Sequence, residues 1–292
     1  MLAVALSLVA AAAWGVADFG GGLFSRRLPV AAVLFVVEAG GLIAATLIVV
    51  VFAHSWPSGH TVLMSCLAGT AGMIGLAFFY GALSVGKMSV VAPVSSTGAV
   101  IPVVVGLVTG DTLTTVVATG LAIAFAGIVL SAQEADDSST DALIAAGIWR
   151  ALGAAAGFGA FFVLYKEGAQ GSKEWAIFWA RVPATVLVGA LMVSRSIPLP
   201  RGQDLRRLAL LGQMDAAAVG FYALAITRGA LSVVAVVGSL YPVVTVLLAR
   251  GLLGERLRPV QLAGITAAFA GVALVSAGSV LPLRPRAVSS VG

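Results

Sequence analysis

The sequence predicts an all-α membrane protein, with ten transmembrane helices arranged as two inverted five-helix repeats. Three observations carry that expectation. Of the 292 residues 60% are hydrophobic and only 10% charged, with a mean hydropathy of +1.07. Ordinary globular chains carry about 25% charged residues, and a soluble core of this length cannot hide so much apolar surface, which leaves the bilayer as solvent. Apolar runs of the length a helix needs to cross the hydrocarbon follow one another between polar or Pro/Gly breaks. Finally, the heptapeptide AFAGIVL at Ala124–Leu130 is echoed by AFAGVAL at Ala268–Leu274, 144 residues downstream.

Taken in order, span one is expected at 2–23. Its opening, MLAVALSLVAAAAWG, lacks the basic stretch of a signal peptide and stays apolar past Trp14 to Leu23, so a retained helix is expected. Span two, 29–52, follows Arg26 and Arg27. A short loop with His54 and His60 leads to span three, 62–84, and Lys87 marks the turn into span four, 89–109. Gly110 and Asp111 precede span five, 112–131. The acidic stretch QEADDSSTD, Gln133 to Asp141, reads as a solvated connector with no binding role. Spans six to ten are expected at 147–166, 175–194, 206–227, 232–252 and 259–279. The corresponding division is a first repeat at 1–132, a linker at 133–146, a second repeat at 147–280 and a tail at 281–292. Closed β-barrels are the other spanning solution, and these runs are too continuously apolar to alternate with period two.

The heptapeptide echo is not isolated. SVVA at Ser89–Ala92 recurs at Ser232–Ala235, Gly120 matches Gly264, Gly110-Asp111 matches Gly254-Glu255, Phe78-Phe79 matches Phe221-Tyr222, and Trp14-Gly15 matches Phe158-Gly159. The offsets are 143 or 144, so one unit of five spans was duplicated. Because five is odd, the second copy enters the membrane from the opposite side, the usual architecture of secondary transporters with solute held near the midplane.

Several segments then resemble a known family. WGVADF in span one, FWARVPA in span seven, the tyrosine-then-Ala-Leu echo in spans three and eight, SLYPVVTVLLARGLLGERLRP from span nine into ten, and LAGITAAFAGVAL are similar to the drug/metabolite transporter superfamily, specifically its EamA-type ten-helix members. The resemblance covers nearly the whole chain and is strongest in the second half. It implies movement of small organic solutes, amino acids or drugs by alternating access. Three departures stand out: Pro102 lies three residues late relative to the counterpart of Pro242, Asp111 replaces the family's usual Glu, and Glu38 stands where many members carry a basic residue. The family's arginine therefore carries over to Arg181 alone.

A charge at mid-span costs about 2.5–3.5 kcal/mol on insertion scales, so each such group needs a partner, a wet cavity or a function. Asp18, Glu38, Arg181 and Asp215 qualify by depth. Glu38 and Arg181 occupy equivalent positions in the repeats and are candidates for an ion pair, or for separate contacts in which Arg181 grips an anionic group and Glu38 a cation or proton. Asp18, one turn after Trp14 on the same face, suits a cationic or amphipathic solute; its alternative is a capping carboxylate satisfied by Arg26 or Arg27. Asp215, in GQMDAA, is a candidate for proton coupling, since burial disfavours a charged carboxyl, or for a helix-to-helix hydrogen bond. Tyr222, Tyr241, Ser95 and Ser96 are candidate cavity-lining groups, joined by Tyr80 and Ser239. Tyr165 reads as an interface anchor, Trp175 and Trp179 as belt or packing residues, and the Gly106/Gly110 and Gly153/Gly157 spacings as helix packing.

No H-E-x-x-H, G-x-S-x-G or phosphate-binding loop occurs, and the single cysteine, Cys66, gives no metal-ligand spacing. An enzyme, a cofactor, a resident metal and a nucleic-acid partner are therefore not expected. The expected partners are the bilayer, a small solute and, as a candidate, coupled protons; the state is monomer or homodimer, in an inner or plasma membrane. A divalent-cation carrier or channel on the same fold is the alternative, ahead of a membrane scaffold or intramembrane enzyme. Loops after spans one, three, seven and nine hold ten Lys and Arg against five on the other side, which by the positive-inside rule puts both termini outside.

Overall fold

Long apolar runs have one way to satisfy their backbone in lipid, and each becomes helix. The computed structural model describes residues 1–86, 88–111, 113–131, 141–254 and 258–278. It is all-helical, with no strand among the described residues. The helices are α1 Leu2–Ser25, α2 Val30–Phe52, α3 Gly59–Leu83, α4 Met88–Ser96, α5 Val100–Val108, α6 Thr115–Ser131, α7 Asp141–Gly171, α8 Lys173–Ser194, α9 Gly202–Ile226, α10 Leu231–Gly238, α11 Tyr241–Leu253 and α12 Pro259–Gly278. Lys87, residues 132–140, Glu255, Arg256 and the tail at 281–292, with Arg284 and Arg286, lie outside the described residues; so does most of the expected linker, whose last six residues instead begin α7.

Seven stretches among the described residues are long and apolar enough to cross a membrane: α1, α2, α3, α8, α9, and the stretches Val91–Val108 and Leu231–Leu253. Of the other expected spans, α6 and α12 contain shorter apolar runs, and α7 carries Arg150, Lys166 and Glu167.

Two spans expected as single helices are each broken. Between α4 and α5 the chain makes a 3-10 turn at Thr97–Ala99, and α10 stops at Gly238 before α11 starts at Tyr241. Proline lies near both breaks. Pro242 sits in the first turn of α11, where its missing N–H costs nothing, and Pro93 inside α4 removes a donor from that helix. The hydroxyls of Ser95, Ser96, Thr97 and Ser239 each donate to the carbonyl three residues back, at 2.7–2.8 Å, satisfying acceptors near the breaks.

At the start of α10, Asp111 reaches across from the end of α5. Its Oδ2 accepts from the Ser232 amide at 3.0 Å and from the Ser232 hydroxyl at 2.9 Å, capping the first turn. Asp111→Ala is expected to lower stability by about 1 kcal/mol and Asp111→Asn by less, read as thermal midpoints of purified protein; equal midpoints for all three would refute the cap.

The most extensive packing joins the first half of the chain to the second. α3 lies on α7, α6 on α12, α1 on α9, α2 on α8 and α9, and α3 on α8. Neither half is a separate bundle. The repeated heptapeptides meet face to face: a Cβ on Gly127 would lie 2.4 Å from the Ala268 nitrogen and 2.5 Å from the Gly264 oxygen, and one on Gly271 would lie 2.4 Å from the Ala124 nitrogen and 2.5 Å from the Gly120 oxygen. Contacts that fall along α12 as they rise along α6 mean the two helices run antiparallel. The stretch is written twice because each copy must let the other's backbone approach.

Gly153 and Gly157 do pack as expected, against Phe78 and Gly75 of α3. Gly110 does not. No atom lies within 4 Å of where its Cβ would be, and its φ of +106° makes it a turn glycine.

Candidate functional site

Inside the bundle is a cavity of about 80 Å³. One water needs about 10–15 Å³ on this measure, so the space holds several waters or a small organic molecule. Trp14 and Asp18 reach it from one face of α1, Glu38 from α2, Arg181 from α8, Asp215 and Val219 from α9, and Tyr241 from the first turn of α11. Phe158, Phe161 and Phe162 of α7 form an aromatic wall, and Gly69, Gly72, Met73 and Leu76 of α3, which packs directly on α7, continue the lining.

Arg181 organises the charges. Its Nη1 donates to Glu38 Oε2 at 2.9 Å, and its Nη2 donates to Asp215 Oδ2. The side chains of Arg181 and Glu38 are only 7% and 5% exposed. Gly41 lets this happen: a Cβ there would lie 3.3 Å from Arg181 Cζ and Nε, so the missing side chain leaves room for the guanidinium against α2. The planar fork binds two carboxylates from two other helices, tying α8 to α2 and α9.

Of the expected alternatives, Glu38 and Arg181 are paired, and Asp215 joins them as the helix-to-helix bond rather than as an isolated dry carboxyl. Asp18 is not a capping group. Arg27 is held by Asp204, at 2.8 and 3.0 Å, and Arg26 donates to the Gly86 carbonyl. Asp18 is buried, faces the cavity within electrostatic reach of Asp215, and has no hydrogen-bond or ion-pair partner among the described residues.

Tyr241 lines the cavity as expected, and Ser95 holds its hydroxyl from behind at 3.1 Å. Ser95 and Ser96 are not themselves in the lining; both hydroxyls donate to their own helix, and that of Ser95 also meets Tyr241. Tyr222 is displaced too: it packs behind Trp14 and Phe162, with ring centroids at 5.5 and 5.0 Å, and its hydroxyl has no partner among the described residues. Tyr165 is no interface anchor. It is fully buried and stacked on Phe161 at 5.1 Å. Trp175 stacks on Trp56 at 4.9 Å and donates to the Ser55 carbonyl, a helix-end position, whereas the Trp179 indole N–H is buried.

Phe161, Phe162 and Met73 were not expected at the site, since aromatic and sulfur side chains in an apolar span read as ordinary core. The run FGAFF at 158–162 was the available signal. Among the described residues no group of three or more His, Cys, Asp or Glu side chains is placed to hold a metal ion.

A solved structure described as "Crystal structure of protein" is similar to this chain at 17% identity, with a TM-score of 0.74, covering 94% of this chain and 98% of that one. At that identity the likeness speaks for the fold alone; 29 chains of solved structures match in total. No curated protein matches. Residues 145–277 match the EamA-like transporter family, a family of membrane transporters of small solutes. That match spans 133 of the 292 residues, in the second half of the chain, and the family is part of the drug/metabolite transporter superfamily.

Proposed function

We propose that the protein is a secondary transporter that carries a small organic solute through this cavity by alternating access. The two inverted five-helix repeats, 1–132 and 147–280, exchange roles around it. The membrane is an inner or plasma membrane, the direction is export, and protons are the candidate coupling ion.

The observation that carries the reading is the make-up of the cavity wall. Trp14 and Phe158, Asp18 and Phe162, Glu38 and Arg181, Gly72 and Asp215, and Leu76 and Val219 all line it, and each pair is separated by 143 or 144 residues. A pseudo-twofold axis through the cavity explains why equivalent positions of both copies arrive there, as expected for solute held at a repeat interface.

Close contacts repeat under the same exchange. A Cβ on Gly69 would lie 1.8 Å from the Ala180 oxygen, and one on Gly212, 143 residues later, 2.1 Å from the oxygen of Val37, which is the equivalent of Ala180. Gly15 approaches the Tyr241 carbonyl and Gly159 the Gly98 carbonyl, each at 2.6 Å from the absent Cβ. The antiparallel run of α6 against α12 supports an axis in the membrane plane.

Alternating access predicts that Leu76→Cys, in a Cys66→Ser background, reacts with a membrane-impermeant thiol reagent from either side of the membrane. Reaction in only one of the two preparations, right-side-out or inverted vesicles, would exclude the mechanism.

A further inference from the structure

The sign of the solute's charge follows from how the charges in the cavity are already used. Among the described residues Arg181 is the only cationic side chain in the wall, and its guanidinium is engaged by Glu38 and Asp215. An anionic group entering the cavity would have to share one guanidinium with the two carboxylates already bound to it and would face their negative charge. Among the described residues three carboxylates stand against this one guanidinium, so with all of them ionised the wall has a surplus of negative charge. Asp18 is the group left over: 6% exposed, open to the cavity, and without a partner among the described residues.

Around Asp18 the wall is aromatic. Trp14 lies one turn away on α1, its ring 5.9 Å from Phe162, while Tyr241 stands edge-on to Phe158 at 6.2 Å. Aromatic faces attract cations and apolar bodies alike. A buried carboxylate beside such faces fits a cationic head joined to an aromatic or apolar body, and fits an acid poorly.

We infer that the transported solute is an organic cation of this kind, a monoamine-like molecule with an aromatic body, and that Asp18 is its counter-ion. The inference rests on the proposed transport through this cavity and names the class of cargo. Asp18 binds the ammonium group, the Phe158 to Phe162 wall and Trp14 hold the body, and the Glu38–Arg181–Asp215 triad fixes the three helices that frame the site.

The test is thermal stabilisation of the purified full chain at neutral pH by three probes of one skeleton: 2-phenylethylammonium, the neutral 2-phenylethanol and the anionic phenylacetate. The cation alone is expected to raise the midpoint. Asp18→Asn, which conserves shape, is expected to weaken its binding on the order of 30-fold or more, while Asp18→Glu keeps part of it. The midpoint and elution volume of unliganded Asp18→Asn check that it folds. Stabilisation by phenylacetate or 2-phenylethanol equal to that by the cation overturns the inference, and so does undiminished cation binding in Asp18→Asn. Met73→Trp, which fills the cavity, separates the two readings: an anion whose binding Met73→Trp abolishes leaves the cavity as the site and removes only the charge class. Failure of all three probes, or binding that survives Met73→Trp, removes both.

Discussion

Arg181→Ala is expected to destabilise the protein by about 3–5 kcal/mol, the usual consequence of removing one member of a buried ion cluster, and to abolish transport. Two carboxylates from α2 and α9 would face each other across the vacated space, with Asp18 nearby, in a buried and largely apolar setting that solvates them poorly. Repulsion and desolvation act in the same direction, and the link that ties α8 to both neighbours is lost with them. On a scale of about 2–4 °C per kcal/mol for mid-sized domains, the thermal midpoint falls by roughly 10 °C. Arg181→Lys is expected to recover only part of this, because one ammonium cannot present two parallel donors to two carboxylates. The decisive comparison is the double variant Arg181→Ala with Asp215→Asn. If unpaired charge is the cause, removing a second charge restores stability relative to the single variant, although transport stays lost. A double variant less stable than Arg181→Ala alone would mean that the residues act through packing, and the electrostatic account would fail.

The charged residues were legible in the sequence because lipid makes them conspicuous: an ionisable group in an apolar run carries an insertion cost that only a partner or a cavity offsets. Repeat arithmetic went further, since Glu38 and Arg181 lie 143 residues apart, at positions that an inverted repeat would bring together. It could not reveal that Asp215 joins them. That depends on how α9 is rotated about its axis against α2, which is fixed by Gly212 meeting Val37 and Gly40 meeting Ala209, contacts between segments far apart in the sequence. Tyr222 illustrates the same limit. Depth along the chain placed it beside Tyr241, but the phase of its helix turned it behind Trp14. The breaks at Thr97–Ala99 and Ser239–Leu240 had proline as a signal; a run of twenty apolar residues nevertheless reads as one helix until the backbone hydrogen bonds are counted.

Gly69→Ala is the second large effect. A methyl group there would sit 1.8 Å from the Ala180 carbonyl oxygen, a backbone atom with no rotamer by which to retreat. Overpacking typically costs about 1–3 kcal/mol and occasionally more, and a clash against helix backbone belongs at the upper end, so about 3 kcal/mol is expected. The chain supplies its own comparison. Gly212→Ala meets the Val37 oxygen at 2.1 Å and is expected to be nearly as damaging, whereas Gly251, in α11 with no atom within 4 Å of an added Cβ, is expected to accept alanine with a gain of up to about 1 kcal/mol from helix propensity. Two glycines 143 residues apart behaving as a matched pair, beside a third that does not, is what a pseudo-twofold interface requires. Gly69 controls the distance between α3 and α8 and Gly212 that between α2 and α9, and all four helices contribute to the cavity wall. Gly69→Ala should therefore also reshape the cavity, so that any probe bound there loses affinity even at temperatures where the variant stays folded. Thermal midpoints of the three variants, read with and without 2-phenylethylammonium, check both parts; a Gly69→Ala protein as stable as wild type would mean that the close approach of α3 and α8 does not hold the bundle together.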